Sequence, residues 1–181
     1  MTYSNPSDHS EVYIALGANL GDREHTLMTA IELLDRHPAI TVLRVSSMYE
    51  TDPFGYVDQP AFLNMALAAS TSLEPDALLR VLMETEKELG RVRDVRWGPR
   101  TLDLDFILMN NQLFTWNSET LILPHPRMHE RLFVLTPLSD IIPAGPLHEF
   151  VQDAMDKLEG KEGVRRWRTI NWHSGSEHSA N

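Results

Sequence analysis

The sequence predicts a mixed α/β (α+β) domain in which a β-sheet is flanked by helices. Apolar runs of strand length alternate along the chain with stretches whose apolar residues recur every three or four positions. The length of 181 residues suits one domain and suffices to bury a substantial core. We expect a single domain over 11–168, between flexible tails at 1–10 and 169–181, with Trp172 as the large anchor of the second tail.

The first elements follow from apolar runs and from residues that start or stop helices. Residues 12–16 form an apolar run that ends at Gly17 and predicts a buried strand. Asp22 is a suitable N-cap for the next helix, and His37-Pro38 stops that helix. The β-branched segment 40–49 predicts a second strand.

The middle of the chain repeats this alternation. A run at 62–71 predicts a strand that returns from a loop containing Pro and Gly. Pro75 suits the first turn of a helix, and Gly90 ends that helix. Residues 101–109 predict a further strand, which Asn110-Asn111 closes with a turn signal.

The last part of the domain carries weaker signals. Residues 121–123 predict a short strand, and 128–139 show mixed helical signals. Residues 147–158 predict a late helix whose apolar stripe is Phe150, Val151, Met155 and Leu158. The basic patch 165–168 is interpreted as a helix end or a solvated tail.

Composition excludes several classes of function. Acidic residues number 26 and basic residues 16, so the net charge is −10, and we expect neither a nucleic-acid partner nor binding to an anionic membrane. The absence of cysteine excludes disulfides and thiolate metal sites. No apolar run approaches the ~18 residues of a membrane span. Because residues 1–10 do not resemble a signal peptide, we expect a cytoplasmic protein.

The segment 91–100 is basic within this acidic chain. It contains four arginines and one aspartate. The guanidinium group presents a fork of donors that matches phosphate oxygens, so four of them could hold a polyphosphate. A charge run by itself is more often a solvated loop, and the residues that follow decide between the two interpretations.

Two aspartates follow in the predicted strand 101–109. Strand side chains alternate between faces, so Asp103 and Asp105 point the same way, about 7 Å apart. Ile107 and Met109 are expected to continue that face, and because they are apolar they argue against a face that is fully exposed to solvent. Carboxylate oxygens suit Mg²⁺, which commonly takes one or two carboxylates together with substrate phosphates. Arginines followed by paired aspartates therefore indicate a site for a nucleotide triphosphate with Mg²⁺.

Other patterns are weaker. No Gly-x-x-x-x-Gly-Lys-Ser/Thr loop is present. His125 and His129 have the spacing of a helical metal pair, but the prolines on both sides of His125 argue against a helix there. Phe54 and Phe62 could stack on a flat heterocycle and Asn64 could bind its amide-like edge, although core burial is the commoner fate of aromatic residues.

The segment 96–105, Arg-Trp-Gly-Pro-Arg-Thr-Leu-Asp-Leu-Asp, closely resembles the signature of the 6-hydroxymethyl-7,8-dihydropterin pyrophosphokinase family of folate biosynthesis. Segments at 13–22, 46–51, 58–64 and 123–126 resemble further parts of the family in the same order. Together the matches cover about 12–143. The resemblance implies a ferredoxin-like three-layer αβα fold with a mostly antiparallel central sheet.

The resemblance also implies a reaction and its site. The enzyme would transfer pyrophosphate from ATP to the hydroxymethyl oxygen of the pterin and release AMP. It would act with two Mg²⁺ ions bound by Asp103 and Asp105. Separately from the resemblance, we expect a monomer, with a dimer as the alternative. The implied catalytic residues are Arg91, Arg100, Asp103 and Asp105. The implied ATP-binding residues are Glu86, Arg93, Arg96, Trp97, Arg100, Phe106, His125 and Arg131. The implied pterin-binding residues are Thr51, Asp52, Phe54, Phe62, Asn64, Trp97 and Phe133.

Some positions depart from the family pattern, and other functions remain open at this point. Asp52 stands where proline is common, and the nucleotide side has the less usual residues Met83, Thr120, Ile122 and Pro126. One alternative is another Mg²⁺-dependent transferase that uses the Asp-x-Asp pair on a different nucleotide substrate. A second is a single-stranded RNA-binding module built on Arg93, Arg96 and Trp97, against which the net charge argues.

Overall fold

The structure, a computed structural model, describes residues 9–52, 60–90, 101–158 and 163–172. Its strands are β1 (Ser10–Ala18), β2 (Ile40–Val45), β3 (Met48–Thr51), β4 (Phe62–Thr71), β5 (Asp103–Met109), β6 (Trp116–Asn117), β7 (Ile122–Leu123) and β8 (Val164–Arg168). Its helices are α1 (Arg23–Arg36), α2 (Pro75–Glu88), α3 (Leu132–Ile141) and α4 (Pro146–Lys157), with a short 3-10 helix at Met128–Glu130. Among these described helices, none combines the length and the apolar character that a membrane crossing requires.

The central sheet has six strands, and each of its pairings is antiparallel. The strand order is β5-β1-β4-β3-β8, and β2 also pairs with β4. Strands β6 and β7 form a separate two-stranded sheet. The predicted antiparallel central sheet is confirmed.

Helices cover both faces of the sheet because successive side chains of a strand point to opposite faces. On β1, Val12, Ile14 and Leu16 lie in a core cluster with the apolar residues of α1 and α2. Tyr13 and Ala15 lie in a second cluster with α3 and α4. The ferredoxin-like three-layer αβα arrangement is therefore confirmed.

The residues predicted to begin α1 and to end α2 have these roles in the structure. The side chain of Asp22 accepts a hydrogen bond from the His25 amide at 3.1 Å and so caps α1, an interaction that typically stabilises a helix by about 1 kcal/mol. Gly90 follows α2 with a φ of 79°, the left-handed conformation that glycine adopts without steric cost.

The single strand predicted at 40–49 is wrong: it is two strands that share one edge of β4. β2 pairs with the segment from Leu67 to Thr71, and β3 pairs with the segment from Phe62 to Asn64. Between them the Ser46 hydroxyl accepts a hydrogen bond from the Ala66 amide at 2.8 Å, and the Ser46 amide donates to the Ala66 carbonyl at 2.9 Å. A side-chain oxygen thus takes the place of a ladder carbonyl and interrupts the strand.

A register shift in β5 changes the predicted pattern of its last residues. Ile14 pairs with Phe106 and Tyr13 pairs with Leu108, so Ile107 is the extra residue of a bulge. Beyond the bulge the faces exchange, and Met109 lies in the first cluster while Ile107 lies in the second. The expectation that Met109 shares the face of the aspartates is wrong.

The C-terminal part differs most from prediction. The predicted stripe of α4 is only partly correct, since Val151 is fully buried and Phe150 is 40% exposed. The patch 165–168 is neither a helix end nor a free tail, because it forms β8, which pairs with β3. Ile170 and Trp172 pack against the first cluster, and the Trp172 indole donates to the Val42 carbonyl at 3.3 Å. The packed chain therefore continues past the boundary expected at 168.

Candidate active site

The predicted site residues of β3, β4 and β5 meet at one end of the sheet. Gly17 of β1 pairs with Asp103 on one side and with Asn64 on the other. On β3, Thr51 is paired with Phe62, two residues before Asn64. The second cluster fills this face farther along the strands. Where that cluster ends, the sheet presents carboxylate, amide and hydroxyl groups around a glycine.

The aspartates lie on one face of β5, as predicted. Both side chains are half-buried, and Asp105 and Asp103 are paired with Ala15 and Gly17 of β1. These two β1 residues are small, so they leave space in front of the carboxylates. No cluster of three or more acidic or histidine side chains suited to a metal occurs within the described ranges. Two carboxylates fit Mg²⁺ that draws its other ligands from phosphate and water.

Glu86 supports the strand from the opposite side. It lies on α2, is 4% exposed, and its carboxylate accepts a hydrogen bond from the Leu104 amide at 3.1 Å. Leu104 is the residue between the two aspartates. A hydrogen bond from an amide to an ionised carboxylate is stronger than one between neutral groups. The Glu86 contact therefore fixes the backbone of β5 between Asp103 and Asp105.

A cavity of about 340 Å³ adjoins Asp105. It lies between α2, β5 and the β6–β7 turn. Its lining residues are Leu79, Leu104, Asp105, Phe106, Ser118, Glu119, Thr120, Leu121, Ile122, His125 and Pro126. The size and the mixed apolar and polar lining suit a nucleoside. The predicted ATP residues Phe106 and His125 therefore meet here, together with the departures Thr120, Ile122 and Pro126.

The rim of the cavity is tied to α2. The Asp76 carboxylate accepts hydrogen bonds from the Ser118 hydroxyl at 2.7 Å and from the Thr120 hydroxyl at 3.3 Å. Sequence reasoning did not identify Asp76, because its partners are more than forty positions away. The contacts hold the β6–β7 turn over the cavity.

His125 is held as a neutral imidazole. Its backbone amide donates to the Ile107 carbonyl at 2.8 Å, and its Nδ1 accepts from the Arg127 amide at 3.1 Å. The ring proton is therefore on Nε2. Burial lowers the pKa of His125 below 6.5, and the positive charges of Arg131 and Arg127 lower it further. A neutral donor at the cavity wall can bind a phosphate or ribose oxygen.

We expect His125 to make the folded protein less stable in acid. Its pKa is lowered in the folded state, so the unfolded chain binds this proton more readily once the pH falls to about 6.5. The contribution of neutral His125 is complete above that pH and is lost as the pH decreases below it. Urea unfolding from pH 7.5 to 5.5 should therefore show a smaller loss of unfolding free energy for His125→Gln than for the wild type. Equal losses of unfolding free energy in the wild type and in His125→Gln would contradict a lowered pKa for His125. His129→Gln, which removes an exposed histidine, is the control variant.

The other wall of the site is formed by Thr51, Asn64 and Phe62. Asn64 is 7% exposed, and its Nδ2 donates to the Thr51 hydroxyl at 2.6 Å. A Cβ atom at Gly17 would lie 3.0 Å from Asn64 Oδ1, so Oδ1 is directed to the glycine side. The amide is thereby oriented with an acceptor toward the space next to the aspartates.

Arg131 and Phe133 lie at the start of α3. The Arg131 guanidinium lies 5.8 Å from the centre of the Phe133 ring, a cation–π contact. The predicted ATP residue and the predicted pterin residue are therefore neighbours, and each restrains the other.

Several predicted site residues lie outside the described part of the chain. They are Phe54, Arg91, Arg93, Arg96, Trp97 and Arg100. Of the remaining pterin residues, Asp52 is exposed, and its carboxylate accepts from Arg165 at 3.3 Å. Arg165 and its partner Glu50 were not identified from the sequence, since they are 115 positions apart.

Comparisons with known proteins agree on one family. Residues 13–143 match the model of the 7,8-dihydro-6-hydroxymethylpterin-pyrophosphokinase (HPPK) family. A 2-amino-4-hydroxy-6-hydroxymethyldihydropteridine pyrophosphokinase of Bacillus subtilis (strain 168) is 53% identical over 156 residues, which are 86% of this chain and 89% of the relative. The enzyme of the same name from Pseudomonas aeruginosa is 46% identical over 132 residues, which are 73% of this chain and 80% of the relative.

Solved structures show the same fold. The wild-type HPPK-DHPS of Plasmodium falciparum matches with a TM-score of 0.61 and 14% identity over 87% of this chain. The match covers 47% of that longer protein, so this chain spans about half of it.

Proposed function

This chain belongs to the 7,8-dihydro-6-hydroxymethylpterin-pyrophosphokinase family, and from that premise we propose how its residues carry the reaction. It is an ATP-dependent diphosphotransferase that transfers pyrophosphate to hydroxymethyldihydropterin in folate biosynthesis. Our assignment depends on one observation. Gly17 lies between Asp103 and Asn64, so a metal-binding group and a heterocycle-binding group flank the same open position.

We propose that Asp103 and Asp105 hold two Mg²⁺ ions. Support comes from the shared face of the two half-buried carboxylates and from the small residues Ala15 and Gly17 opposite them. When bound, Mg²⁺ neutralises charge on the triphosphate and lowers the pKa of the attacking hydroxyl. Glu86 keeps the aspartates in place through the Leu104 amide.

ATP is assigned to the cavity beside Asp105. Leu79 and Phe106 supply apolar surface for the base, and His125 supplies the Nε2 donor. Arg131 adds positive charge at the start of α3. The remaining ATP residues of the proposal are Glu86, Arg93, Arg96, Trp97 and Arg100, with Arg91 and Arg100 neutralising the charge that develops during transfer.

The pterin is assigned to the side of Thr51 and Asn64. Asn64 Oδ1 can accept from a pterin N–H, because Nδ2 faces the Thr51 hydroxyl and Oδ1 lies on the side of Gly17. Phe62 and Phe133 offer ring faces for the flat heterocycle. The proposal also includes Asp52, Phe54 and Trp97 on this side.

The transfer itself needs positioning more than it needs a strong base. The pterin hydroxymethyl oxygen forms a bond to the β-phosphorus, and the bond from that phosphorus to the α,β-bridging oxygen breaks. AMP leaves with the electron pair of that bond, and the hydroxyl proton is released to solvent. The residues of this chain contribute by holding both substrates at the end of the sheet and by presenting positive charge to the phosphates.

The test is a product assay. Incubation with ATP, MgCl₂ and 6-hydroxymethyl-7,8-dihydropterin should release AMP, and omission of the pterin or addition of excess EDTA should abolish the release. The nucleotide product distinguishes the site of attack, because ADP would indicate attack on the γ-phosphorus. Folded protein that releases no AMP would overturn the proposal.

We further propose that the protein acts as a monomer in the cytoplasm. The sheet has helices of its own chain on both faces, which supports a monomer. A cytoplasmic location is supported by the need for ATP as co-substrate. Light scattering at assay concentration and cell fractionation test the two statements.

A further inference from the structure

A chain of polar contacts links β8 to the beginning of β4. The Arg165 guanidinium binds the Glu50 carboxylate at 3.1 Å, and the other oxygen of Glu50 binds Arg23 at 3.1 Å. Arg23 Nη1 in turn donates to the Ala61 carbonyl at 2.7 Å. Arg23 thus connects Glu50 at the end of β3 with Ala61, which precedes β4, and Arg165 connects Glu50 to β8.

Glu50 and Ala61, two members of this network, adjoin the proposed pterin-binding residues. Glu50 is next to Thr51, and Ala61 is next to Phe62, which is paired with Thr51. Glu50 is paired with Leu63, a residue of the first core cluster, whereas Thr51 contacts Asn64. The ion pairs therefore hold the sheet from the face opposite the pterin side.

Three more contacts hold the same ends of the strands. Arg165 also binds Asp52 at 3.3 Å, and the Asp52 amide donates to the Gly163 carbonyl at 3.2 Å. On the other side, Asn19 donates to the Pro60 carbonyl at 3.2 Å. Asp52 is thereby held by Arg165 of β8 and by Gly163, and Pro60 is held by Asn19.

Exposure limits what these ion pairs contribute to folding. The Arg165 side chain is 50% exposed, whereas Glu50 and Arg23 are 20% and 19% exposed. Solvent-exposed ion pairs usually stabilise a protein little. The arrangement is better suited to fixing the relative position of two strand ends than to supporting the core.

We propose that Arg165 is a positioning residue for pterin binding: through Glu50 and Arg23 it keeps the end of β3 and the start of β4 aligned, so that Thr51 orients Asn64. The inference rests on the proposed pterin site. Arg165 lies outside residues 13–143, the part that matches the family model, so β8 adds to the site from beyond the matched region.

The experiment compares steady-state kinetics of the wild type and Arg165→Gln in the full chain. The variant should raise the KM for the pterin about three- to tenfold, the range expected for losing a small ion-pair network. Its KM for ATP, its kcat and its melting temperature should change little. Arg165→Lys, which keeps the charge but not the fork, should give an intermediate KM.

Two further variants make the outcome decisive. Arg168→Gln is the matched control, because Arg168 lies on the same strand and pairs with Glu24 at 3.0 Å, away from Thr51 and Asn64. Asn64→Ala reports on the pterin site itself. If Asn64→Ala raises the pterin KM while Arg165→Gln behaves like Arg168→Gln, the positioning role is wrong and the site assignment stands. If Asn64→Ala also leaves the pterin KM unchanged, both the site assignment and the positioning role are overturned.

Discussion

Asp105→Ala is expected to lower kcat by about a thousandfold or more, a loss of about 4 kcal/mol of transition-state stabilisation. Asp105 lines the cavity proposed for ATP and shares a strand face with Asp103, so its removal would leave one of the two carboxylates proposed to bind Mg²⁺. The proposed metal site would then keep Asp103 as its one remaining carboxylate from β5. The measurement is AMP release at saturating ATP and pterin over a range of MgCl₂ concentrations.

Controls separate a lost metal ligand from a lost fold. Asp105→Asn keeps the shape of the side chain and should be nearly as inactive as Asp105→Ala, because a neutral amide is a weak ligand for Mg²⁺. Asp153→Ala, on the exposed side of α4, should retain wild-type activity. Both Asp105 variants should retain the far-UV circular dichroism of the wild type. An Asp105→Ala enzyme with more than a tenth of the wild-type kcat and an unchanged Mg²⁺ dependence would remove Asp105 from the metal site.

The aspartate pair was predictable because it depends only on local geometry. Alternation along a strand puts residues i and i+2 on one face whatever the partner strand is. The strand β4 was predicted with its observed bounds for a similarly local reason, since it is apolar apart from Asn64 and its last two residues, Ser70 and Thr71. The bulge at Ile107 was not predictable, because it depends on the register between β1 and β5.

The elements that the sequence did not predict are stabilised by distant partners. β8 has the sequence Val-Arg-Arg-Trp-Arg, which lacks the apolar alternation of a half-buried strand. Arg165 and Arg168 pair with acidic residues of β3 and α1 that lie more than a hundred positions earlier. The interruption between β2 and β3 likewise depends on Ser46 meeting Ala66 of β4. Tertiary contacts rather than local propensity decide these segments.

The same distinction explains which parts of the candidate site could be predicted. The resemblance supplied Asn64 and Thr51 as separate positions, and the structure adds the hydrogen bond between them. Gly17 was expected to end the first strand, but β1 continues to Ala18, and Gly17 is paired with both Asp103 and Asn64. A close approach between strands leaves no periodic signal in the sequence, so only the register reveals why a side chain is absent there.

Asn64→Ala is expected to raise the KM for the pterin about ten- to a hundredfold and to leave the KM for ATP nearly unchanged. The amide is buried, its Nδ2 donates to Thr51 at 2.6 Å, and its Oδ1 lies on the side of Gly17, where the pterin is proposed to bind. In the proposed site, a pterin N–H that loses this acceptor is left unpaired, and such losses typically amount to about 1.5–3 kcal/mol. Asn64→Asp keeps an acceptor in the same place and should therefore retain tighter pterin binding than Asn64→Ala.

The control is Asn117→Ala, which replaces an exposed asparagine of β6 and should have wild-type KM values for both substrates. If the KM for ATP increased in Asn64→Ala while that for the pterin did not, Asn64 would belong to the nucleotide side, and the two substrates would have to be exchanged across Gly17.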